Sequence, residues 1–137
     1  MNLSAVLARD RFAAARHAYL ATVSADGQPH LVPVTFALTA SDAVVIAIDH
    51  KPKRGTDLRR LRNITANPRV SLLADEYRDE DWTRLWWVRA DGDARILTDP
   101  DRLVAELVGK YPQYRERPPA GPVIHIDVHT WRGWSYS

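Results

Sequence analysis

Cysteine is absent from the 137 residues, which removes disulfides, thiolate metal centres and cysteine nucleophiles together. Lysine is scarce, three residues against sixteen arginines. No apolar run approaches the roughly 18 residues of a membrane span. The opening stretch, MNLSAVLARD, has no basic region leading into an apolar one. No signal peptide is therefore expected, and a cytoplasmic protein is the default. The patterns G-x-S-x-G, G-x-x-x-x-G-K-[ST] and G-x-G-x-x-G do not occur, so nucleophile-elbow hydrolysis, P-loop chemistry and Rossmann dinucleotide binding lose support. Charge of one sign is also missing. Lys and Arg total 19 and Asp and Glu 17, a net +2, too balanced for a protein that grips nucleic acid or membrane by charge alone.

What is present fits one compact domain over residues 1–137. Hydrophobic residues make up 45% and charged residues 26%, enough apolar surface for a core and too little net charge for wholesale disorder. Leu3, Val6, Leu7 and Phe12 recur at helical spacing behind Ser4, which predicts a capped helix over 4–16. Alternation predicts strands over 18–24 and 30–38, joined by an Asp26-Gly27 hairpin turn. Pro33 marks a bulge or an edge in the second of them. Residues 43–48 read as a strand buried on both faces. Thr56 can cap a helix with Leu58, Leu61 and Ile64 on one side, stopped by Ala66-Asn67-Pro68. Strands follow over 70–74 and 84–90, and Asp91-Gly92 reads as a second hairpin turn into 94–97. Thr98-Asp99-Pro100 opens a helix that Gly109 ends. Residues 123–136 form a last strand or pair of strands. Tight turns between neighbours demand antiparallel pairing. The expectation is a mainly β (α+β) fold, a six-stranded antiparallel barrel with flanking helices.

Residues 51–62 are the sharpest chemical feature. Lys51, Lys53, Arg54, Arg59, Arg60 and Arg62 stand against one acid, Asp57. The run enters a helix start, where unpaired N–H groups and the macrodipole favour an anion. A phosphate there meets Lys53, Arg54 and Thr56 together. On a helical wheel Arg59 and Asn63 lie opposite the apolar stripe, with Arg62 at its flank. The competing reading is a solvated basic face paired with the acidic segment 75–81. Trp82, Trp86, Trp87, Trp131 and Trp134 are many for this length. Trp86 and Trp87 are strand neighbours and point to opposite faces, so one of them meets a helix, a partner chain or a planar ligand. His125, Asp127 and His129 share one strand face, a pattern an exposed polar strand gives as readily as a metal site; no metal is expected. His17, His30 and His50 are isolated.

The order of features resembles the small FMN-binding split β-barrels related to pyridoxamine 5′-phosphate oxidase, and within them the branch that uses the deazaflavin coenzyme F420. The matching stretches are ATVSADGQPH at 21–30, VPVTF at 32–36, DHKPKR at 49–54, LRRLRNITANPRVSL at 58–72, WTRLWWVRADG at 82–92 and WRGW at 131–134. The resemblance implies a homodimer with two cofactor sites at the subunit interface. It implies that Lys51, Lys53, Arg54 and Thr56 lie near the cofactor phosphate, with Arg62 and Asn63 close by. Backbone around Pro33, Val34 and Thr35 would run along the ring system, with Trp86, Trp87 and Arg89 supplied by the neighbouring subunit. One departure stands out. Pyridoxamine phosphate oxidases carry a C-terminal Arg-x-His that holds substrate, whereas this chain ends WRGWSYS.

The function implied is an oxidoreductase that binds F420 and transfers a hydride to or from a small unsaturated substrate. The cofactor brings the electronics and the protein the positioning. Tyr19, His30 and Tyr136 are candidate proton donors. FMN in the same site is the first alternative, and a non-catalytic flavin- or haem-binding module the second. A nucleic-acid binder using 51–62 is a third, disfavoured by the balanced charge.

Overall fold

The structure is a computed structural model that describes residues 1–48, 56–98 and 101–137, and for 56–58 and 101–102 the backbone alone. Helix α1, Ala5–Ala14, is capped by Ser4, whose side chain accepts from the Leu7 N–H at 3.2 Å. It ends two residues before the expected boundary and buries Ala8 and Phe12. Strand β1, Ala18–Val23, pairs with β2, Pro29–Val34, through the expected turn, where Gly27 adopts φ 91°. The remaining elements are β3 (Ala37–Leu38), β4 (Ala43–Ala47), α2 (Thr56–Ala66), β5 (Arg69–Glu76), a 3₁₀ turn (Trp82–Arg84), β6 (Trp86–Leu97), α3 (Asp101–Lys110), α4 (Pro112–Glu116) and β7 (Val123–Ser135).

Among the described residues, seven strands, not six, form one curled antiparallel sheet in the order β2-β1-β5-β6-β7-β4-β3. The expected 30–38 segment divides into two strands, and the expected 84–90 and 94–97 strands are one. β2 ends at Val34 on one sheet edge, and β3 pairs with β4 at the other. Residues 35–36 thus carry the chain from edge to edge, and a curled sheet brings those edges near each other.

Asp91-Gly92 is not a hairpin turn. β6 runs unbroken for 12 residues with a register shift against β7 between these two positions. A hairpin would pair the two halves of the segment with each other. Instead β6 pairs with β7 along its whole length, Trp86 to Leu97, and with β5 from Trp86 to Asp93, across the Asp91-Gly92 step. Gly92 is needed because a Cβ there would collide with the Asp127 carbonyl oxygen, a close approach that favours glycine and a bulge. β7 is one strand of 13 residues. α3 continues through Gly109, and α4, with Pro112 in its first turn, is an element that apolar spacing did not announce.

The core lies inside the curl. A cross-strand row runs Val32, Leu20, Leu72, Ala90, Trp131, and its first four members are 9% exposed or less. Phe12 of α1 closes over it, its ring 4.5 Å from Phe36 and 5.3 Å from Trp131. Strand alternation puts the next row, Pro33, Tyr19, Leu73, Arg89, Arg132, on the outer face. Among the described residues, no helix is long and apolar enough to cross a membrane.

Candidate functional site

Helix α2 sets one wall of the candidate site. Its backbone begins at Thr56. Lys51, Lys53 and Arg54, and the Thr56 side chain, lie outside the described residues. Arg59 and Arg62 are exposed, but Asn63 is only 4% exposed. Asn63 does not share the solvent face with Arg59, as the helical wheel suggested. Its amide Nδ2 donates to Thr22 Oγ1 at 3.0 Å, and Thr22 is fully buried. A polar acceptor inside the curl turns the helix so that Asn63 points inward beside Ile64, since a buried hydroxyl left unpaired is costly.

His30 is the register partner of Thr22. It lines a cleft of about 530 Å³ with Arg59, Arg62, Asn63 and residues of the β1–β2 turn. His30 Nδ1 is buried with no hydrogen-bond partner among the described residues. Burial, then the nearby charges of Arg59 and Arg60, push its pKa below the usual imidazole value, so it is neutral at physiological pH. Asp26, on the far rim, is held ionised by hydrogen bonds from Ser24 and the Gln28 backbone. The cleft thus presents two exposed guanidinium groups, a fixed amide and a neutral imidazole whose Nδ1 has no partner among the described residues. That donor set fits an anionic group with a hydrogen-bonding ring attached.

Among the described residues, Arg59 and Arg62 do not pair with the acidic segment 75–81. Glu76 engages Arg78 at 3.3 Å and Arg84 at 3.8 Å, and no ion pair joins that segment to Arg59 or Arg62 among the described residues.

At the far end of β2, Pro33 and Thr35 are exposed and Val34 is 7% exposed. The Val34 side chain belongs to the core, so only its main chain is open to a ligand. Thr35 Oγ1 and the Tyr114 hydroxyl are 3.0 Å apart beside a second cleft. The β6 residues divide by strand parity. Trp86 packs against the core beneath the Arg11 guanidinium, 5.3 Å from its ring centroid. It lines another cleft, of about 640 Å³, with Arg11, Asp75 and Glu76. Trp87 and Arg89 face outward, and Arg89 Nε donates to Asp91 at 3.1 Å. Within the chain the candidates fall into four places: Arg62 and Asn63 in the α2 cleft, Thr35 in the α4 cleft, Trp86 in the cleft beside Arg11, and Pro33, Trp87 and Arg89 on the outer face.

Of the candidate proton donors, His30 alone lines the α2 cleft. Tyr19 is 36% exposed on the outer row, and Tyr136, 53% exposed, sits edge-on to Trp134. His125 lies 3.8 Å from Asp127, and His129 lies 3.9 Å from Asp93. Among the described residues no three such groups converge on a metal position. Sequence reasoning passed over Arg16, Tyr111 and Tyr114, which build the α4 cleft. Pro112 was the available signal, as a proline suited to a helix start.

A family model described as Pyridoxamine 5'-phosphate oxidase matches residues 7–135. Among solved structures, a conserved hypothetical protein from Mycobacterium tuberculosis superposes with a TM-score of 0.77 at 22% identity, covering 98% of this chain and 86% of that one. An FAD-binding protein from Mesorhizobium loti gives 0.72 at 23% identity over 97% and 95% of the two chains. A heme storage protein from Vibrio cholerae gives 0.69 at 16% over 95% and 90%. At these identities the likeness is one of fold. No curated protein matches the chain.

Proposed function

This chain belongs to the pyridoxamine 5′-phosphate oxidase family, and on that premise we propose that it is an oxidoreductase binding coenzyme F420, with FMN as the alternative occupant of the same site. The observation that carries this reading is the α2 cleft, where Arg59, Arg62 and buried Asn63 meet the unpartnered Nδ1 of His30. When bound, the deazaflavin or flavin supplies hydride transfer to or from a small unsaturated substrate.

The chain's own residues bind and orient. Lys51, Lys53 and Arg54 immediately precede α2 in sequence and, with Thr56, are assigned to the cofactor phosphate. Arg59 and Arg62 add positive charge along the exposed side of the helix. Thr22 fixes the Asn63 amide, so that amide costs little to order on binding. His30, kept neutral, offers one ring nitrogen as donor and the other as acceptor, and holds a proton near the cleft without adding to its charge. Arg59→Ala and Arg62→Ala remove the cleft's exposed cations.

We assign the outer row Pro33, Tyr19, Leu73, Arg89 and Arg132 to the interface of a homodimer. Leu31, 66% exposed on the same face, supports this, because its apolar side chain lies open to water. In such a dimer Trp87 and Arg89 complete the partner's cofactor site. Sedimentation at micromolar concentration is expected to give a two-chain mass, and a one-chain mass removes the dimer.

The deciding experiment titrates the purified chain with F420 and FMN by fluorescence. Tighter binding of F420 supports the first reading, and tighter binding of FMN the alternative. Failure to bind either ends the enzymatic account. A second reading, a non-catalytic flavin- or haem-binding module, draws on fold neighbours described as FAD-binding and heme storage proteins. It predicts stable binding of ligand and no oxidation or reduction of any added substrate.

A further inference from the structure

Arg16 and Lys110 carry positive charge against aromatic rings, and neither makes an ion pair among the described residues. Lys110 Nζ is half-buried. It donates to the carbonyls of Ala15 at 2.7 Å and Ala13 at 3.3 Å, and lies 3.7 Å from the Phe36 ring centroid. The Arg16 guanidinium stands 4.8 Å from the Tyr111 centroid and uses Nη2 to donate to the Lys110 carbonyl at 3.0 Å. Its remaining N–H groups are available. Burial, then the Arg16 charge, lowers the Lys110 pKa from 10.5 to about 8. The fold thus leaves positive charge here uncompensated, and an anion would relieve it.

Beside these cations a cleft of about 500 Å³ is lined by Arg16, Thr35, Tyr111, Pro112, Gln113 and Tyr114. None of the described lining residues is acidic. The Tyr111 and Tyr114 rings stand edge to face, 5.7 Å apart. The hydroxyl of Tyr111 is committed: it donates to the Arg16 carbonyl at 2.9 Å and accepts from the Phe36 N–H at 3.2 Å. The hydroxyls of Thr35 and Tyr114 share one hydrogen bond at 3.0 Å. Two hydroxyls hold two protons, and one bond uses one of them. One hydroxyl proton therefore stays free for the cleft.

We infer that this α4 cleft is a second small-molecule site, built for a planar aromatic carboxylate, with Arg16 taking the carboxylate, the Tyr114 ring packing on the ring system beside the edge of the buried Tyr111, and the Thr35–Tyr114 pair donating one hydrogen bond. The volume is that of an ordinary small-molecule pocket. Aromatic walls with a guanidinium at the rim select for a flat ring and negative charge. Its place in catalysis, as the subsite for an unsaturated ring acid that is reduced or oxidised, rests on the oxidoreductase reading. The binding itself does not.

Calorimetric titration of the whole, cofactor-free chain with 1-naphthoate and its neutral counterpart 1-naphthamide tests the site. Naphthoate is expected to bind saturably and at least about tenfold tighter than naphthamide, the scale of one charge-assisted hydrogen bond. Arg16→Met removes that preference and leaves naphthamide binding unchanged, and Arg16→Gln serves should the methionine variant fail to fold. Tyr114→Phe weakens both ligands about two- to tenfold, and Arg59→Met weakens neither. No saturable binding, equal affinity for the two probes, or a preference that survives removal of Arg16 overturns the assignment. F420 and FMN titrations of the same proteins keep the readings apart. Loss of cofactor binding with naphthoate selectivity intact sinks only the oxidoreductase reading, and the converse sinks only this site.

Discussion

The two ends of β2 meet two clefts of similar size and opposite construction. At the His30 end, the cations Arg59 and Arg62 stand on the exposed side of a helix, and the buried element is a polar pair, Asn63 and Thr22. At the Thr35 end, the cations Arg16 and Lys110 lie against Phe36 and Tyr111. In the first, water screens the charge, and a ligand gains attraction that salt can weaken. In the second, Arg16 is also exposed but lays one face on Tyr111, and burial excludes water from part of Lys110 behind it, so the Lys110 charge costs the fold more. One strand thus joins a cleft suited to steering an anion to a cleft suited to selecting a flat one.

The largest expected break is Phe36→Ala. Phe36 is fully buried between Phe12 and Lys110, so the truncation should cost about 3–5 kcal/mol in denaturant unfolding. It also removes the ring beneath Lys110, leaving the α2 cleft untouched. Next is Thr22→Val, which keeps the shape and strands Asn63 Nδ2. A loss of about 1–3 kcal/mol is expected, with weaker cofactor binding. An unchanged melt would show that Asn63 finds another acceptor. Lys53→Ala should weaken cofactor binding by about 1–3 kcal/mol if Lys53 makes a charged hydrogen bond to the phosphate, and unchanged affinity removes Lys53 from the site. Arg62→Ala should cost under about 1 kcal/mol of stability, as befits an exposed cation, while making cofactor affinity less sensitive to salt.

The smallest effect concerns pH. The Lys110 pKa is about 8 in the folded chain, against 10.5 as its ordinary value. Between these values the unfolded chain holds a proton that the folded chain has shed, so this group makes stability rise with pH across that window. The Tm difference between pH 9.5 and pH 7.5 should be more positive for the natural chain than for Lys110→Met. Equal differences would mean that Lys110 is solvated in both states. His30 acts in the same direction in a more acidic window. Its folded pKa is lowered, so stability falls as pH drops below the ordinary imidazole range.

Some of the site is legible in the amino-acid sequence. Apolar spacing and the Thr56 start mark α2, and the basic run ahead of it marks an anion-binding reading. The direction of Asn63 is not legible, because a helical wheel knows the helix and not the acceptor on β1. The division of 30–38 is not legible either. Pro33 signals an irregularity, but that the chain departs for the opposite sheet edge after Val34 depends on where β4 lies. Asp91-Gly92 carries the strongest local turn signal in its region, and β5 and β7 override it by pairing with both sides of it. Tyr114 reads as an ordinary aromatic in a proline-bounded stretch, and only its bond to Thr35, 79 residues away in sequence, makes it part of a cleft.

By itself the sequence determined the strand alternation, the Ser4 cap, the turn at Gly27, and the charge that precedes α2. All of these are properties of a few neighbouring residues, decided by backbone preference and period. The tertiary structure alone decided the continuity of β6, the inward turn of Asn63 and the two unlike clefts at the ends of β2. Those depend on pairings between distant segments, which satisfy buried hydrogen-bonding groups that no local rule can count.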